Sequence, residues 1–380
     1  MKIIIIGGGI GGLCTAVALQ KQGYSVKVFE AATAFQPVGA GIGIGSNAMQ
    51  ALVKMGIGEK VYAEATTLDT QLFQNIKGET LNSIDFRPIK ELYGQENITI
   101  QRADLHRTLL DALHNGTVLY NKKCIDVENH GTQVTAFFED GASLKADLLI
   151  AADGIHSPIR QKLIPNSMPR YAGYTCWRGL AKNNERVKPH TSCEIWSTDG
   201  RFGFAPLKGG DVYWFACVKA KERDVFYQQL KRNELASLFT QFPDFVSSLI
   251  RDTEQKKILH HDVQDIKPLN KFVYGRIVLL GDAAHATTPN MGQGAGQAIE
   301  DALVLGNVLG QFKHLNEALD HYEELRVART GKVIALSRQI GWAAQLSSPP
   351  LVVARDFLFP FIPSKLLSRR LNFLFDVDLK

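Results

Sequence analysis

A glycine-rich turn near the N-terminus constrains the fold of this 380-residue chain more than any other feature. The turn follows an apolar run at residues 2–6, which predicts a buried strand, and it precedes a helical pattern at residues 13–22. A second strand is predicted at residues 25–30, so the segment forms a complete βαβ unit of an α/β fold. The G-x-G-x-x-G motif in the turn consists of Gly7, Gly9 and Gly12.

These three glycines predict a dinucleotide site. The first permits a tight turn, the second lets the backbone approach a pyrophosphate, and the third allows close contact between helix and strand. The N-terminus of the helix then faces the phosphates. Glu30 ends the second strand, where an acid accepts hydrogen bonds from a ribose 2′-hydroxyl. The unit serves NAD and FAD alike, and a glycine-rich turn without a ligand is the alternative.

A second glycine motif follows a short buried strand predicted at residues 276–280. A carboxylate at this strand end can hydrogen-bond a ribityl hydroxyl. The N–H groups that open the next helix, at residues 294–310, can hold an anionic flavin ring. The alternative is an ordinary strand–loop–helix connection without a ligand. His285, within the motif, is expected to pack near the cofactor rather than to act as a base. The residues expected at the cofactor are Gly281, Asp282, Pro289, Gly292 and Gly294.

A third motif, DGIHSPIR at residues 153–160, follows another predicted buried strand. Together the three motifs span residues 7–302, and in order and separation they resemble those of the single-component FAD-dependent aromatic hydroxylases, the family built like p-hydroxybenzoate hydroxylase. The resemblance implies that Asp153 and Arg160 belong to a motif linked to FAD and NAD(P)H binding, and that Arg102 lies near the FAD phosphates. The alternative for Asp153 and Arg160 is a structural ion pair that caps the turn.

The resemblance also implies a chemistry. FAD would be bound noncovalently, NADH or NADPH would supply electrons, and a flavin C4a-hydroperoxide formed with O₂ would hydroxylate or epoxidise a small aromatic or heteroaromatic substrate. A reductase or halogenase on the same fold is one alternative, although the W-x-W-x-I-P string expected of a halogenase is absent from the sequence. A non-catalytic binder is the other, and the intact motifs argue against it.

Residues 201–217 predict a hairpin whose turn lies at residues 208–211. Its spacing is similar to that of a branch of the family that includes FAD-dependent urate hydroxylase and zeaxanthin epoxidase-like enzymes. The resemblance implies that Arg201 and Tyr213 address the substrate, with the arginine holding an anionic group and the tyrosine orienting the ring. The hairpin is expected to bring the two side chains close together. The alternative is that both are ordinary strand residues.

The succession of elements predicts a Rossmann-like FAD-binding domain of the glutathione-reductase type, interrupted by a mostly antiparallel β substrate domain and followed by C-terminal helices. We expect the C-terminal segment to pack on the substrate domain rather than to lie on a membrane. A small antiparallel meander is expected from residues 117–120, 123–129, 133–138 and 143–145. The expected division is residues 1–66, 96–168 and 266–340 for FAD, 67–95 and 169–265 for substrate, and 341–380 for the C-terminal helices.

Composition excludes several classes of protein. Hydrophobic residues make up 45% and charged residues 21% of the chain, and the formal net charge is only +5, which does not favour nucleic acid as a partner. No apolar stretch is long enough to predict a membrane span. The five cysteines are scattered without C-x-x-C spacing, so we expect reduced thiols, no metal site and a cytoplasmic protein.

Overall fold

The structure is a computed structural model that describes residues 1–35, 39–182, 185–363 and 371–377. Its strands are β1 (Ile3–Ile6), β2 (Val26–Phe29), β3 (Gly41–Ile44), β4 (Thr66–Leu68), β5 (Thr70–Asn75), β6 (Thr80–Asp85), β7 (Asn97–Gln101), β8 (Val118–Leu119), β9 (Cys124–Asn129), β10 (Val134–Phe138), β11 (Ser143–Ala146), β12 (Leu148–Ala151), β13 (Arg170–Ala181), β14 (Thr191–Trp196), β15 (Arg201–Pro206), β16 (Val212–Lys219), β17 (Leu259–Asp265), β18 (Val273–Tyr274) and β19 (Ile277–Leu279).

The α-helices are α1 (Ile10–Lys21), α2 (Ser46–Lys54), α3 (Gly58–Ala63), α4 (Arg87–Tyr93), α5 (Arg102–Asp111), α6 (Pro158–Leu163), α7 (Val225–Gln229), α8 (Arg232–Leu238), α9 (Asp244–Arg251), α10 (Asp282–His285), α11 (Gly294–Gln311), α12 (Leu315–Ala344) and α13 (Pro349–Leu358).

The N-terminal βαβ unit lies in a six-stranded sheet with the order β18, β19, β12, β1, β2, β8. Strand β1 pairs in parallel with both β2 and β12, and its four isoleucines are buried. Helix α1 packs against α11, so two helices that each begin after a glycine-rich turn lie side by side on this sheet. The predicted α/β fold is confirmed.

The meander was only partly as expected. Strands β9, β10 and β11 form a three-stranded antiparallel sheet, but β8 pairs in parallel with β2 at the edge of the six-stranded sheet. The placement of residues 117–120 in the meander was therefore wrong. Val118 pairs with Val28, and this long-range pairing leaves no local sequence signal.

The region that the sequence predicts to bind substrate contains a seven-stranded, mostly antiparallel sheet with the order β17, β13, β16, β15, β14, β5, β6. One face packs on α8 and α9 through a cluster that includes Trp177, Phe202 and Trp214. Because side chains alternate along a strand, the neighbours Arg201 and Tyr213 point to the opposite face. That face is called the substrate face below.

Strand β3 of the small sheet β3–β7–β4 packs against β16, on the substrate face. A Cβ atom on Gly41 would come within 2.5 Å of the Tyr213 side chain, so glycine is needed for this close approach. The substrate face and the glycine-rich segment after β2 therefore border the same space.

Helix α13 and the turn that follows it pack on the seven-stranded sheet with one side only. Phe359 stacks on Trp196, and Val352 is buried, whereas Val353 and Phe357 are exposed. Residues 364–370, which include Arg369 and Arg370, lie outside the described residues. No helix in the described part of the chain is long and apolar enough to cross a membrane.

Candidate cofactor and substrate site

The first glycine motif leaves space beside the N-terminus of α1. A Cβ atom on Gly9 would meet no atom of the described residues within 4 Å, whereas one on Gly12 would lie 2.0 Å from the carbonyl oxygen of Gly7. No side chain caps α1 at Gly9, so the first N–H groups of the helix keep no side-chain acceptor. The open space and these N–H groups fit the pyrophosphate of a dinucleotide.

Glu30 and His106 fix the shape of this turn from its two ends. The Glu30 carboxylate accepts hydrogen bonds from the N–H groups of Gly8, at 2.6 Å, and Ala32, at 2.8 Å. Burial lowers the pKa of His106, and its Nε2 atom lies 2.7 Å from the carbonyl oxygen of Gly8. The neutral ring must therefore donate from Nε2. His106 was not expected from the sequence, since a histidine in a helix carries no motif.

Arg102 begins α5 and lies at the same end of the molecule. It is exposed, and a Cβ atom on Gly39 would come within 3.0 Å of its side chain. Its charge and that of Glu30 both act on His106. The structure thus brings Arg102 and Glu30 to the turn that holds Gly9, as a role near the phosphates requires.

The second glycine motif opens toward the same side of the sheet. Gly281 has φ 61° and ψ −138°, a conformation that favours glycine, and its N–H donates to Asp301 at 3.0 Å. The Asp282 side chain is exposed, and its Oδ1 atom is 4.0 Å from the position of a Cβ atom on Gly294. Helix α11 begins at Gly294 without a side-chain cap. A free carboxylate and an open helix N-terminus therefore face one space, which fits the ring end of a flavin.

A buried charge network supports this motif from behind. Asp301 binds His285 Nε2 at 2.5 Å and Arg326 Nε at 2.6 Å, and Glu300 accepts from Arg326, Arg329 and Asn47. Burial acts to raise the pKa of Asp301, but His285 and Arg326 outweigh it and hold that pKa far below its usual range. His285 is thus buried and hydrogen-bonded within this network, and its position near the cofactor stays a prediction.

Asp153 is the strongest indication that this end of the molecule holds a ligand. Both carboxylate oxygens are buried, and neither makes a hydrogen bond of good geometry to the described residues, although the nearby Ser157 hydroxyl and Ile159 N–H act to lower the pKa of Asp153. Burial raises the pKa of Asp153. A buried polar group without a partner costs about 1–3 kcal/mol, and a hydroxyl or amide of a bound cofactor would satisfy it.

Arg160 has a different setting from the one that the motif implied. The side chain is completely buried, and its guanidinium donates to the carbonyl oxygens of Ile155, Ser167, Asp282 and Ala283. The described residues contain no ion pair between it and Asp153. Arg160 therefore joins the third motif to the second, and its contribution to cofactor binding stays a prediction.

The strand register separates Arg201 from Tyr213. Arg201 is paired with Cys217, and Tyr213 is paired with Ala205. Ala205 lies four positions after Arg201 on β15, so Arg201 and Tyr213 are separated by ~13 Å along the strands. The expectation that the hairpin brings the two side chains together is wrong, because Tyr213 lies next to the turn and Arg201 at the far end of β15. Phe215 lies between them on the same face.

Arg201 is buried and already has a counter-ion. Its guanidinium donates to Glu194 at 2.9 Å and to the Oδ1 atom of Asn290, and it lies 5.3 Å from the centre of the Tyr174 ring. Glu194 neutralises its charge, and Asn290 connects it to the loop that follows Asp282. The sequence did not indicate Glu194 or Asn290 as partners.

Comparison with known proteins identifies the family. Residues 1–337 match the family described as FAD binding domain. The chain is 35% identical over 370 residues to the aurachin C monooxygenase/isomerase of Stigmatella aurantiaca, covering 97% of this chain and 96% of that protein. It is 34% identical over 347 residues to the FAD-dependent urate hydroxylase of Klebsiella pneumoniae, covering 89% of each chain.

Solved structures agree with these relatives. The structure of Klebsiella pneumoniae HpxO complexed with FAD and uric acid matches with a TM-score of 0.91 and 30% identity, over 100% of this chain and 98% of that one. A salicylate hydroxylase substrate complex matches with a TM-score of 0.80 and 26% identity, over 100% and 96%. The expected family and branch are confirmed: the chain belongs to the FAD binding domain family, and FAD is the cofactor that its motifs hold.

Proposed function

We propose that this protein is an FAD-dependent monooxygenase that uses NADH or NADPH and O₂ to hydroxylate a small aromatic or heteroaromatic substrate. The contact between Arg201 and Asn290 carries the proposal, because it joins the substrate face to the loop between Asp282 and Gly294. A ring bound on that face lies next to the flavin end of the cofactor site. Among the relatives are a urate hydroxylase and a 6-hydroxynicotinate 3-monooxygenase of Pseudomonas fluorescens, 31% identical, which support this substrate class.

In this proposal, different residues bind different parts of the FAD molecule. The N-terminus of α1 beside Gly9 holds the pyrophosphate, and the remaining lone pairs of Glu30 accept from the ribose. Asp282 and the N-terminus of α11 hold the ribityl and ring end, where the backbone dipoles favour negative charge. FAD, when bound, accepts two electrons from the nicotinamide and activates O₂.

Tyr213, next to the turn, and Phe215, between it and Arg201, offer aromatic side chains on the substrate face. Burial raises the pKa of Tyr213, so its hydroxyl stays protonated at neutral pH and can donate to a carbonyl or hydroxyl of a substrate ring. Phe215 offers an aromatic surface against which such a ring can stack. These two residues orient the ring, and the apolar surface beside them excludes water from the reacting atom.

Charge balance favours a substrate with an anionic group. Glu194 already neutralises Arg201, so Arg201 contributes position rather than net charge. Arg178 lies two register positions from Cys176 on the same face, and no carboxylate forms an ion pair with it in the described part of the chain. An aromatic carboxylate or an ionised heteroaromatic ring would supply the missing charge.

The five cysteines are free thiols in the structure. Free thiols persist in a reducing compartment, and NADH or NADPH is available there. We therefore assign the protein to the cytoplasm as part of the same proposal.

A substrate panel tests the proposal. Purified protein with bound FAD is mixed with NADH or NADPH and a series of aromatic carboxylates and hydroxylated heteroaromatic rings, and cofactor oxidation and products are followed by absorbance and mass spectrometry. We expect one ring class to accelerate oxidation of the nicotinamide and to appear as a product with one added oxygen atom. A flavin that is reduced equally fast with every ring, and no oxygenated product, would contradict it.

A further inference from the structure

Two cysteines lie directly opposite each other on the substrate face. Cys176 of β13 is paired with Cys217 of β16, and both are buried. Directly opposed residues of an antiparallel pair have Cα atoms about 4.5–5.5 Å apart, within the usual range for a disulfide of about 4.4–6.8 Å. The two residues thus meet the backbone requirement for a disulfide without a movement of the strands.

The surroundings of this pair differ from those of the other cysteines. Arg178 and Arg201 both lie close enough to favour a thiolate on Cys176. The Cys217 side chain, together with Arg178, lowers the pKa of Cys176 against the effect of burial, while burial and the interaction with Cys176 raise the pKa of Cys217. Cys176, whose thiol donates to the Trp177 carbonyl oxygen at 3.4 Å, is therefore the more easily ionised of the two, and Cys217 stays a thiol. This is the arrangement of an attacking and a resolving cysteine.

The remaining three cysteines lack such a setting. Burial raises the pKa of Cys124 to about 11 and that of Cys193 to about 12, and it raises the pKa of Cys14 further. Each is a buried thiol, and burial is the largest cause of its raised pKa. They serve as internal controls in the same molecule.

We propose that Cys176 and Cys217 form a redox-active dithiol that hydrogen peroxide oxidises to a cross-strand disulfide. The proposal rests on the proposed function for the source of the oxidant, because a flavin monooxygenase that reduces O₂ without oxygenating a substrate releases hydrogen peroxide. That peroxide would be formed beside the substrate face, so it need not enter from bulk solvent. Burial shields the pair from oxidants larger than hydrogen peroxide, which is small enough to reach it from the solvent as well.

The reaction balances in two steps. Cys176 loses its proton and its thiolate attacks one peroxide oxygen. The O–O bond breaks, the departing hydroxide takes up the proton that Cys176 released and leaves as water, and a sulfenic acid remains on Cys176. The Cys217 sulfur then attacks the Cys176 sulfur, the S–O bond breaks, and a second water leaves with the Cys217 proton. Two thiols lose two electrons and two protons, and one peroxide becomes two waters.

Mass spectrometry of the full-length, FAD-loaded protein tests the dithiol. The protein is treated with hydrogen peroxide until the exposed Met168 is oxidised, denatured, blocked with N-ethylmaleimide and digested without a reductant. We expect a peptide pair joined through Cys176 and Cys217 that lacks two hydrogens, while the three control cysteines carry the maleimide. Maleimide on both Cys176 and Cys217 in protein whose Met168 is oxidised would overturn the proposal.

Two variants assign the roles within the pair. In Cys217→Ser, dimedone should trap a sulfenic acid at Cys176, because the resolving thiol is missing. In Cys176→Ser, we expect Cys217 to remain a thiol under the same treatment. Oxidation of Cys217 in Cys176→Ser to the extent seen in the unmodified protein would contradict the assigned order.

A second arm separates this inference from the proposed function. The protein is incubated in air with NADH or NADPH and no aromatic substrate, with catalase present to remove peroxide that reaches the solvent. We expect the same disulfide to form. Nicotinamide oxidation with both cysteines still reduced would overturn the dithiol. A disulfide with added peroxide, but neither nicotinamide oxidation nor an oxygenated product with any ring of the substrate panel, would overturn the proposed function and leave the dithiol standing.

Discussion

The guanidinium of Arg201, on the substrate face, hydrogen-bonds the side-chain oxygen of Asn290, in the loop that precedes α11. The same oxygen accepts from the Tyr174 hydroxyl at 2.9 Å, and the amide nitrogen of Asn290 donates to the Ser337 carbonyl at 2.9 Å. A Cβ atom on Gly341 would lie 2.2 Å from that nitrogen, so α12 leaves room for the amide. One asparagine thus connects the substrate sheet, the flavin loop and a C-terminal helix.

Gly9→Val should abolish FAD binding without unfolding the protein. Among residues 1–35, 39–182, 185–363 and 371–377, no atom lies within 4 Å of a Cβ atom on Gly9, so the new side chain should displace only the pyrophosphate. Flavin absorbance of the purified variant and its thermal midpoint measure the two effects. Gly12→Val is the contrast, because its side chain would meet the Gly7 carbonyl oxygen and should lower Tm as well. Gly9→Val protein that retains stoichiometric flavin would contradict the assignment.

Asp282→Ala should weaken FAD binding by about 1.5–3 kcal/mol, since it removes a charged acceptor for a ribityl hydroxyl. The exposed Asp282 carboxylate contributes little to the stability of the fold, so Tm of the apoprotein should not change. Titration of apoprotein with FAD, followed by flavin fluorescence, gives the affinity. The exposed Asp320 offers a matched control as Asp320→Ala. Equal affinity for FAD in both variants would show that Asp282 has no role at the cofactor.

Arg160→Ala should destabilise the protein by about 2–4 kcal/mol and slow flavin reduction by NADH or NADPH. The variant leaves buried carbonyl oxygens without a donor, two of them at Asp282 and Ala283. Chemical unfolding gives the stability, and stopped-flow absorbance gives the rate of reduction. An unchanged free energy of unfolding would contradict the buried hydrogen bonds. A rate of flavin reduction equal to that of the unmodified protein, at limiting nicotinamide, would show that Arg160 does not contribute to electron transfer.

Asp301→Asn should lower stability at neutral pH by about 3–5 kcal/mol, because Arg326 and His285 lose a buried counter-ion. The pKa of Asp301 in the folded state lies far below its ordinary value of 3.8. Its stabilisation is therefore complete above the unfolded pKa and is lost as pH falls from about 5 toward the folded pKa. Tm measured from pH 7 to pH 3 should fall less steeply in Asp301→Asn than in the unmodified protein. Parallel curves would contradict the ion network.

Arg201→Gln and Tyr213→Phe should uncouple the reaction, the first more severely. Arg201→Gln breaks the contact with Asn290 and misplaces the ring, whereas Tyr213→Phe keeps the ring contact and loses only the hydroxyl. The ratio of oxygenated product to nicotinamide consumed measures coupling. Because Arg201→Gln also leaves Glu194 unpaired, the double variant Arg201→Gln/Glu194→Gln is compared with it. An unchanged ratio in all three variants would place the substrate elsewhere.

How much of the structure could be predicted from the sequence depends on how far apart in the chain the interacting residues are. The βαβ unit and the glycine motifs were predictable because strand, turn and helix signals are local, and Gly281 is required by its own backbone conformation. The distance between Arg201 and Tyr213 depends on strand register, which a hairpin pattern leaves open. Asn290 and Arg326 act through contacts with residues far away in the chain. Nothing near either residue in the sequence marks these partners.

Oxygen incorporation tests the central claim most directly. The FAD-loaded protein is supplied with NADH or NADPH, the ring that accelerates nicotinamide oxidation, and isotopically labelled O₂ in unlabelled water. The account predicts that each product molecule carries one labelled oxygen atom and that one nicotinamide is consumed per product. Product whose new oxygen comes from water, or nicotinamide oxidation that yields only hydrogen peroxide with every ring, would contradict a monooxygenase.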